Sequence, residues 1–144
     1  MSGAAESPDK RWAILFVCWI MVTGATLGSL FFSEIMALPP CSLCWYQRIF
    51  MFPLPIILLM GLFPFEPKVV RFALPLSMGG TLIALYHTLL HLGIIPKSVA
   101  PCQQGVSCSD AYLDLFGFVS IPMLSFLAFA AITALLFILK RWSK

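Results

Sequence analysis

Two cysteines stand three positions apart in the segment PPCSLCWYQR, which covers residues 39–48 and leads into an apolar stretch. Cys41 and Cys44 would share one face of a helix, so they could bond to each other or present both sulfurs to one ligand. A helix N-terminus and a Cys-x-x-Cys spacing both favour the thiolate, which is the species that attacks disulfides. Arg48 follows Cys44 by one helical turn and would stabilise such an anion. The pattern is typical of thiol–disulfide chemistry, a structural disulfide or half of a metal site.

A second pair, Cys102 and Cys108, lies in the segment PCQQGVSC. It is either a second redox pair or a structural disulfide that closes a ring of seven residues. A zinc site formed by all four thiols is disfavoured, because zinc-binding pairs are usually separated by about two to four residues and five separate Cys102 from Cys108. The fifth cysteine, Cys18, lies inside an apolar stretch and is expected to be a core residue.

The composition indicates a membrane protein. Hydrophobic residues make up 60% of the 144 residues and charged residues only 10%, whereas soluble domains carry about 25% charged residues. We therefore expect an all-α integral membrane protein, a four-transmembrane-helix bundle in which residues 1–144 form a single membrane domain. The predicted helices cover residues 12–32, 45–63, 72–92 and 119–139, and the two cysteine-bearing outer loops cover 33–44 and 93–118. No basic stripe with interleaved aromatic residues is present, so nucleic acid is not an expected partner.

Lys and Arg residues are divided unevenly between the two sides of the predicted membrane. Seven fall on one side, and only Arg48 and Lys97 fall on the other. The positive-inside rule therefore predicts cytoplasmic termini and outer loops that face an oxidising compartment if this is a bacterial plasma membrane. The alternative is a cleaved signal peptide at the N-terminus, which is disfavoured because the first apolar run continues to Phe32 without a clear A-x-A site.

Four segments resemble the disulfide bond formation protein B family (DsbB), and more closely its BdbC-like branch: PCSLCWYQR, YHTLLH, PCQQGVSC and GFVSIPMLSF. The resemblance covers nearly the whole chain by topology and is most specific at residues 40–48 and the second cysteine pair. It implies a quinone-dependent protein-disulfide oxidoreductase that re-oxidises a thioredoxin-fold dithiol oxidase of the DsbA or BdbD type. The electrons would pass to ubiquinone or menaquinone in the lipid bilayer, so the quinone would be the cofactor.

The resemblance assigns the four cysteines to a relay. Cys102 and Cys108 would meet the partner, and the partner's thiolate would attack Cys102. The freed Cys108 would then attack Cys41, which releases Cys44 as a thiolate facing the quinone. All four are therefore the expected catalytic residues.

The resemblance also assigns a quinone site to Cys44, Arg48 and His87. His87 matches the family's histidine better than His91 does, and both could instead be interfacial polar residues. Gln47 stands where the best-known DsbB proteins have an acid, and the loop cysteines are closer together than in those proteins. Both departures favour the BdbC-like branch.

Three other functions fit parts of the pattern. A thiol oxidoreductase of the vitamin K epoxide reductase type also combines loop cysteines with a membrane Cys-x-x-Cys, but usually late in the bundle and not at the start of the second helix. A small metal-ion transporter or metal chaperone would use the paired thiols to hold soft ions. A non-catalytic assembly subunit would contain only structural disulfides, and Arg48 would then extend towards the lipid head groups.

Overall fold

The computed structural model describes residues 8–37, 40–99, 114–115 and 119–143. Four helical stretches in these ranges are long and apolar enough to cross a membrane: Asp9–Ile35, Ser42–Leu62, Pro67–His91 and Ile121–Trp142. An isolated spanning segment must satisfy its backbone hydrogen bonds internally, which explains why all four are helical. The predicted fold class, an all-α four-helix membrane protein, is confirmed.

The first span is longer at both ends than the predicted 12–32. Helix α1 covers Pro8–Leu30, and one wide π-helical turn, Phe31–Ile35, continues it. Pro8 suits the first helical position, where a missing N–H costs no hydrogen bond. The π turn ends where the Met36 N–H donates to the Phe31 carbonyl at 3.2 Å.

The second span consists of two helices, α2 at Ser42–Met51 and α3 at Pro53–Leu62, where the sequence predicts one helix over 45–63. Pro53 has no N–H to donate, so the hydrogen-bond ladder is interrupted there. Phe52 nevertheless keeps helical angles (φ −64°, ψ −35°) and donates its N–H to the Arg48 carbonyl at 2.9 Å. The backbone therefore stays helical through the junction.

The third and fourth spans are centred on helices α4 at Val70–His91 and α5 at Ile121–Trp142, close to the predicted 72–92 and 119–139. A short 3-10 turn, Pro67–Val69, precedes α4. Two short strands, β1 at Asp114–Leu115 and β2 at Val119–Ser120, pair antiparallel immediately before α5.

The core lies where α4 packs against α5 and where α1 packs against α3 and α5. Phe129 of α5 is buried over Gly80 of α4, and the hydroxyls of Thr81 and Thr133 lie 3.0 Å apart across the same seam. Cys18 is fully buried in this core, as expected from its place in the first apolar stretch.

The C-terminal ends of α1 and α4 and the N-terminal ends of α2 and α5 meet at one end of the bundle, which we call the cysteine end. There Arg48 of α2 hydrogen-bonds to Ser29 of α1, and Thr88 of α4 donates to the Pro122 carbonyl of α5 at 3.1 Å. At the opposite end, the Arg11 guanidinium lies 6.0 Å from the centre of the Phe65 ring. The short connections thus bring residues from three different helices around Cys41 and Cys44.

The seam between α4 and α5 gives the first prediction. A Cβ atom added at Gly80 would overlap the buried ring of Phe129, so Gly80→Ala should destabilise the bundle by about 1–3 kcal/mol, the usual cost of overpacking a core. Gly24→Ala is the matched control, because no described heavy atom lies within 4 Å of a Cβ there. Thermal unfolding in detergent should give a lower Tm for Gly80→Ala alone. Equal Tm values for the two variants would contradict this packing.

Candidate functional site

Cys41 is the N-cap residue of helix α2. Its backbone is extended (φ −75°, ψ 172°), and its sulfur accepts a hydrogen bond from the Cys44 backbone N–H at 3.4 Å. The first N–H groups of a helix have no partner within the helix, and they carry the positive end of the helix dipole. The Cys41 sulfur therefore lies where a negative charge is favoured.

The side chains of Cys41 and Cys44 are in direct contact. Their sulfurs lie 2.9 Å apart, and both residues are free thiols in this structure. Cys41 is buried, whereas Cys44 is partly exposed. The spacing predicted to place both sulfurs on one helical face does so, and the pair can form and break a disulfide without a large movement of the backbone.

His87 reaches the pair from helix α4. Its Nε2 lies 3.8 Å from the Cys41 sulfur, and its Nδ1 lies 3.0 Å from the side-chain nitrogen of Gln47. His87 is only 3% exposed and Gln47 only 8%. Sequence reasoning named His87 but noted Gln47 only as a departure from the family pattern. The signal for Gln47 is its spacing of four residues from both Leu43 and Met51, which places it on the same buried face of α2.

Cys41 lies immediately before the membrane-spanning stretch Ser42–Leu62 and therefore outside it. The hydrogen bond from the Cys44 side chain, followed by that from His87, lowers the pKa of Cys41 below its usual range, although burial alone would raise it. The Cys44 backbone N–H and the His87 contact therefore favour the negative charge of the reduced pair on Cys41.

Arg48 is held against the end of α1. Its Nε donates to the Ser29 hydroxyl at 2.8 Å, and its Nη2 donates to the Ser29 carbonyl at 2.8 Å. The guanidinium also lies 5.3 Å from the centre of the Trp45 ring, within the range of a cation–π contact. Sequence reasoning missed Ser29, which lies beside the π turn and has no distinctive sequence motif.

The remaining residues considered in the sequence are His91 and the loop pair, Cys102 and Cys108. The Nδ1 atom of His91 is buried and has no hydrogen-bond partner among the described residues, and His91 does not join the cluster of Cys41, Cys44 and His87. Cys102 and Cys108 lie outside the described residues.

The three clustered side chains could also hold a metal ion. The ligand atoms of Cys41, Cys44 and His87 all lie within 4.8 Å of one another. Two thiolates and an imidazole are ligands that suit Zn²⁺ and Cu⁺. The same geometry is therefore compatible with a redox-active pair and with a thiophilic metal site.

Comparison with known proteins separates these possibilities at the level of the family. The family model for disulfide bond formation protein DsbB matches residues 10–139. A probable disulfide formation protein from Metapseudomonas resinovorans is 44% identical over 137 residues, which cover 94% of this chain and 95% of that protein. Disulfide bond formation protein C from Bacillus subtilis (strain 168) is 40% identical over 131 residues, which cover 91% of this chain and 95% of that protein.

A probable disulfide formation protein C 2 from Bacillus cereus (strain ATCC 10987 / NRS 248) is 46% identical over 122 residues, with 85% of this chain and 87% of that protein covered. No solved structure gives a significant match to the chain. The resemblance inferred from the cysteine segments is confirmed. The chain therefore belongs to the DsbB family, in its BdbC-like branch of disulfide formation protein C, and is a membrane disulfide oxidoreductase.

Proposed function

We propose that this protein re-oxidises a thioredoxin-fold dithiol oxidase of the DsbA or BdbD type and passes the electrons to membrane quinone. It would thereby sustain disulfide formation in exported proteins. The observation that carries the proposal is the position of the Cys41 and Cys44 sulfurs, 2.9 Å apart at the N-terminus of a membrane-spanning helix. A pair at that position would meet the aqueous phase on one side and the lipid bilayer on the other, as exchange with a loop disulfide and with a lipid-soluble acceptor would require.

In this proposal, the reduced partner transfers two electrons through thiol–disulfide exchange. A partner thiolate attacks Cys102 and breaks the Cys102–Cys108 bond, and the partner's second thiol then closes the partner disulfide and releases Cys102. Cys108 attacks Cys41, so a Cys41–Cys108 bond forms as the Cys41–Cys44 bond breaks. Cys102 attacks Cys108, which restores the loop disulfide and releases Cys41.

The surroundings of Cys41 support its role as the leaving group of that last exchange. A thiol of lower pKa leaves faster from a disulfide, and the contacts with Cys44 and His87 lower the pKa of Cys41. While Cys41 is bonded to Cys108, Cys44 is the free member of the pair and would carry the charge. The negative charge would therefore pass from Cys44 to Cys41 as the relay completes.

The residues beside the pair fit a quinone. Its ring carbonyl oxygens accept hydrogen bonds, and a guanidinium has only donors. Ser29 occupies two of the Arg48 N–H groups, and the others have no hydrogen-bond partner among the described residues. The half-exposed Trp45 ring beside them offers an apolar face. A bound quinone would accept two electrons and two protons from the dithiol, and Arg48, Cys44 and His87 are the residues that we assign to its site.

The proposed location is a bacterial plasma membrane with both termini in the cytoplasm and the cysteine end outside. Two features support it. Most Lys and Arg residues lie at the ends of the helices that are opposite the cysteine end, including Lys140 and Arg141 in the last turn of α5, and positive charge is retained on the cytoplasmic side. An oxidising outer compartment is also where disulfides persist.

Metal handling is the second candidate, because Cys41, Cys44 and His87 form a possible ligand set. The two functions differ in their resting state. A relay enzyme holds its paired cysteines as disulfides, whereas a metal carrier holds them as thiols. Membership of a disulfide-forming family supports the first.

The direct test of the proposed function is oxidation of a reduced DsbA- or BdbD-like partner by the purified protein, with and without added quinone. We expect oxidation that depends on quinone and is abolished by Cys44→Ser. Titration of free thiols in the isolated protein should detect two disulfides at rest. Four reactive thiols with bound metal would instead favour the metal carrier. A rate of partner oxidation that does not change when quinone is added would exclude the proposed acceptor.

The orientation predicts the activity of reporter fusions. Alkaline phosphatase is active only when exported to an oxidising compartment, so a fusion after Lys144 should be inactive and a fusion after Gln104 should be active. Both fusions are compared at equal expression. The reverse pattern would place the cysteine end in the reducing cytoplasm and would contradict the relay.

Arg48 should act on the quinone reaction and not on folding. We expect Arg48→Ala to raise the quinone KM or lower turnover by about tenfold or more, the usual effect of losing a hydrogen bond to a charged group. Arg48→Lys should restore only part of the activity, because an ammonium lacks the planar fork of donors.

Ser29→Ala should give a smaller loss in the same assay, since it removes one of the two Ser29 acceptors of Arg48. Ser77→Ala is the matched control, because the Ser77 hydroxyl bonds only to the Leu74 carbonyl of its own helix among the contacts described. Wild-type activity of Arg48→Ala at limiting quinone would refute the assignment.

The loop pair should behave as an exchangeable disulfide. A disulfide that closes a short ring gains little stability, which favours exchange over a structural role. Cys108→Ser removes the thiol that passes electrons to Cys41, so Cys102 should form a lasting, DTT-sensitive conjugate on a non-reducing gel with a thioredoxin-fold partner whose second cysteine is Ser and whose attacking cysteine carries glutathione, which leaves. Cys102→Ser should give none. Conjugate from Cys102→Ser alone would reverse the two roles, and conjugate from neither would indicate a structural ring.

A further inference from the structure

Within the part of the chain that the structure describes, the side chain of Gln47 is linked to the redox pair through His87. Gln47 is 8% exposed on the buried face of α2, and its side-chain nitrogen lies 3.0 Å from Nδ1 of His87. The other ring nitrogen, Nε2, lies 3.8 Å from the Cys41 sulfur. An ordered chain of contacts thus runs from Gln47 through the imidazole to Cys41.

The polarity of these contacts follows from the chemistry of the groups. The nitrogen of a side-chain amide donates hydrogen bonds and has no lone pair available to accept one. Nδ1 of His87 must therefore be the acceptor in its contact with Gln47. A neutral imidazole has one protonated nitrogen, so the proton is on Nε2, the atom that faces Cys41.

We propose that Gln47 is a positioning residue that fixes His87 in the Nε2–H tautomer, so that the imidazole donates a hydrogen bond to the sulfur of Cys41. Gln47 itself touches neither sulfur among the contacts described. It acts through His87, which is the group that contacts the reacting atom.

The hydrogen bond from His87 strengthens when Cys41 becomes a thiolate, because a charged acceptor forms a shorter and stronger bond than a neutral one. It therefore stabilises Cys41 at the moment that this sulfur leaves a disulfide. The Cys44 backbone N–H contributes to the same sulfur from the other side.

An amide suits this role better than a carboxylate. An ionised carboxylate only accepts hydrogen bonds, so at position 47 it would bind a proton on Nδ1 of His87. It would also add negative charge behind the imidazole, close to the site where the Cys41 thiolate forms. Gln47 therefore supplies the hydrogen-bond donor that this arrangement uses.

The tautomer can be read directly by nitrogen NMR of the imidazole. The chain has two histidines, so a His91→Gln background leaves His87 as the only signal. In detergent-solubilised protein labelled with ¹⁵N in the imidazole, we expect Nε2 with the shift of a protonated nitrogen and Nδ1 with that of an unprotonated one. A proton on Nδ1 in this background would overturn the proposal.

Two variants of similar size test whether Gln47 sets this state. Gln47→Glu at neutral pH should move the proton to Nδ1, and Gln47→Met should leave a mixture of tautomers. Met51→Leu is the matched control, because Met51 lies on the same buried face of α2, and it should leave both shifts unchanged. Unchanged shifts in Gln47→Glu and Gln47→Met would also overturn the proposal. The Tm of each variant is measured as well. A changed tautomer in a variant with the wild-type Tm is not explained by a folding defect.

The consequence for Cys41 is measured by the ultraviolet absorbance of its thiolate, in reduced protein that carries Cys102→Ser and Cys108→Ser. Because the contacts with Cys44 and His87 lower the pKa of Cys41, its thiolate persists at neutral pH and is lost as the pH falls through the lowered pKa. Gln47→Met should move the midpoint upward and reduce the thiolate fraction by roughly three- to tenfold at acidic pH, as expected for one weakened hydrogen bond. No change in the midpoint would overturn the link to Cys41.

Only one part of this inference rests on the proposed function: the stabilisation of Cys41 as the sulfur that leaves a disulfide in the relay. The nitrogen shifts and the thiolate absorbance are measured without partner and without quinone. Failure of the quinone-dependent assay with normal shifts would therefore count against the proposed function alone. Normal activity with the proton on Nδ1 would count against the role of Gln47 alone.

Discussion

The site depends on one arrangement: the sulfur of Cys41 caps helix α2 while a histidine from α4 contacts it. The Cys44 N–H at 3.4 Å and the His87 Nε2 at 3.8 Å converge on that sulfur. The first contact would be lost if α2 began one residue later, and the second would be lost if α4 were rotated by one position. The start of α2 and the packing of α2 against α4 together determine which sulfur carries charge.

The rest of the bundle holds these two helices in place. Arg48 bonds to Ser29 and so fixes α2 to the end of α1. Thr88, the residue after His87, donates to the Pro122 carbonyl and fixes the end of α4 to the start of α5. In an apolar environment a polar side chain without a partner is costly, so these pairings also restrict how the helices can pack. The same contacts therefore serve the architecture and the redox pair.

Much of this molecule follows from the sequence, because apolar length and charge placement identify the spans and cysteine spacing identifies the pair. The observed helix ends differ from the predicted ones by a few residues, because hydropathy marks the apolar interior of a helix and not its last hydrogen-bonded turn. The interruption after Phe52 follows from the missing N–H of Pro53. The contacts of Gln47 with His87 and of Ser29 with Arg48 join residues 40 and 19 positions apart. They depend on the rotation of one helix against another, which composition and spacing do not specify.

The central claim is that the Cys41–Cys44 pair delivers its electrons to quinone directly. A single-turnover experiment tests it: protein carrying Cys102→Ser and Cys108→Ser is reduced, freed of reductant and mixed with quinone in the absence of partner. Alkylation and mass spectrometry then report the state of Cys41 and Cys44, and absorbance reports quinol. We predict a Cys41–Cys44 disulfide and an equal amount of quinol, without any help from the loop pair. A pair that stays reduced in the presence of quinone would contradict the account.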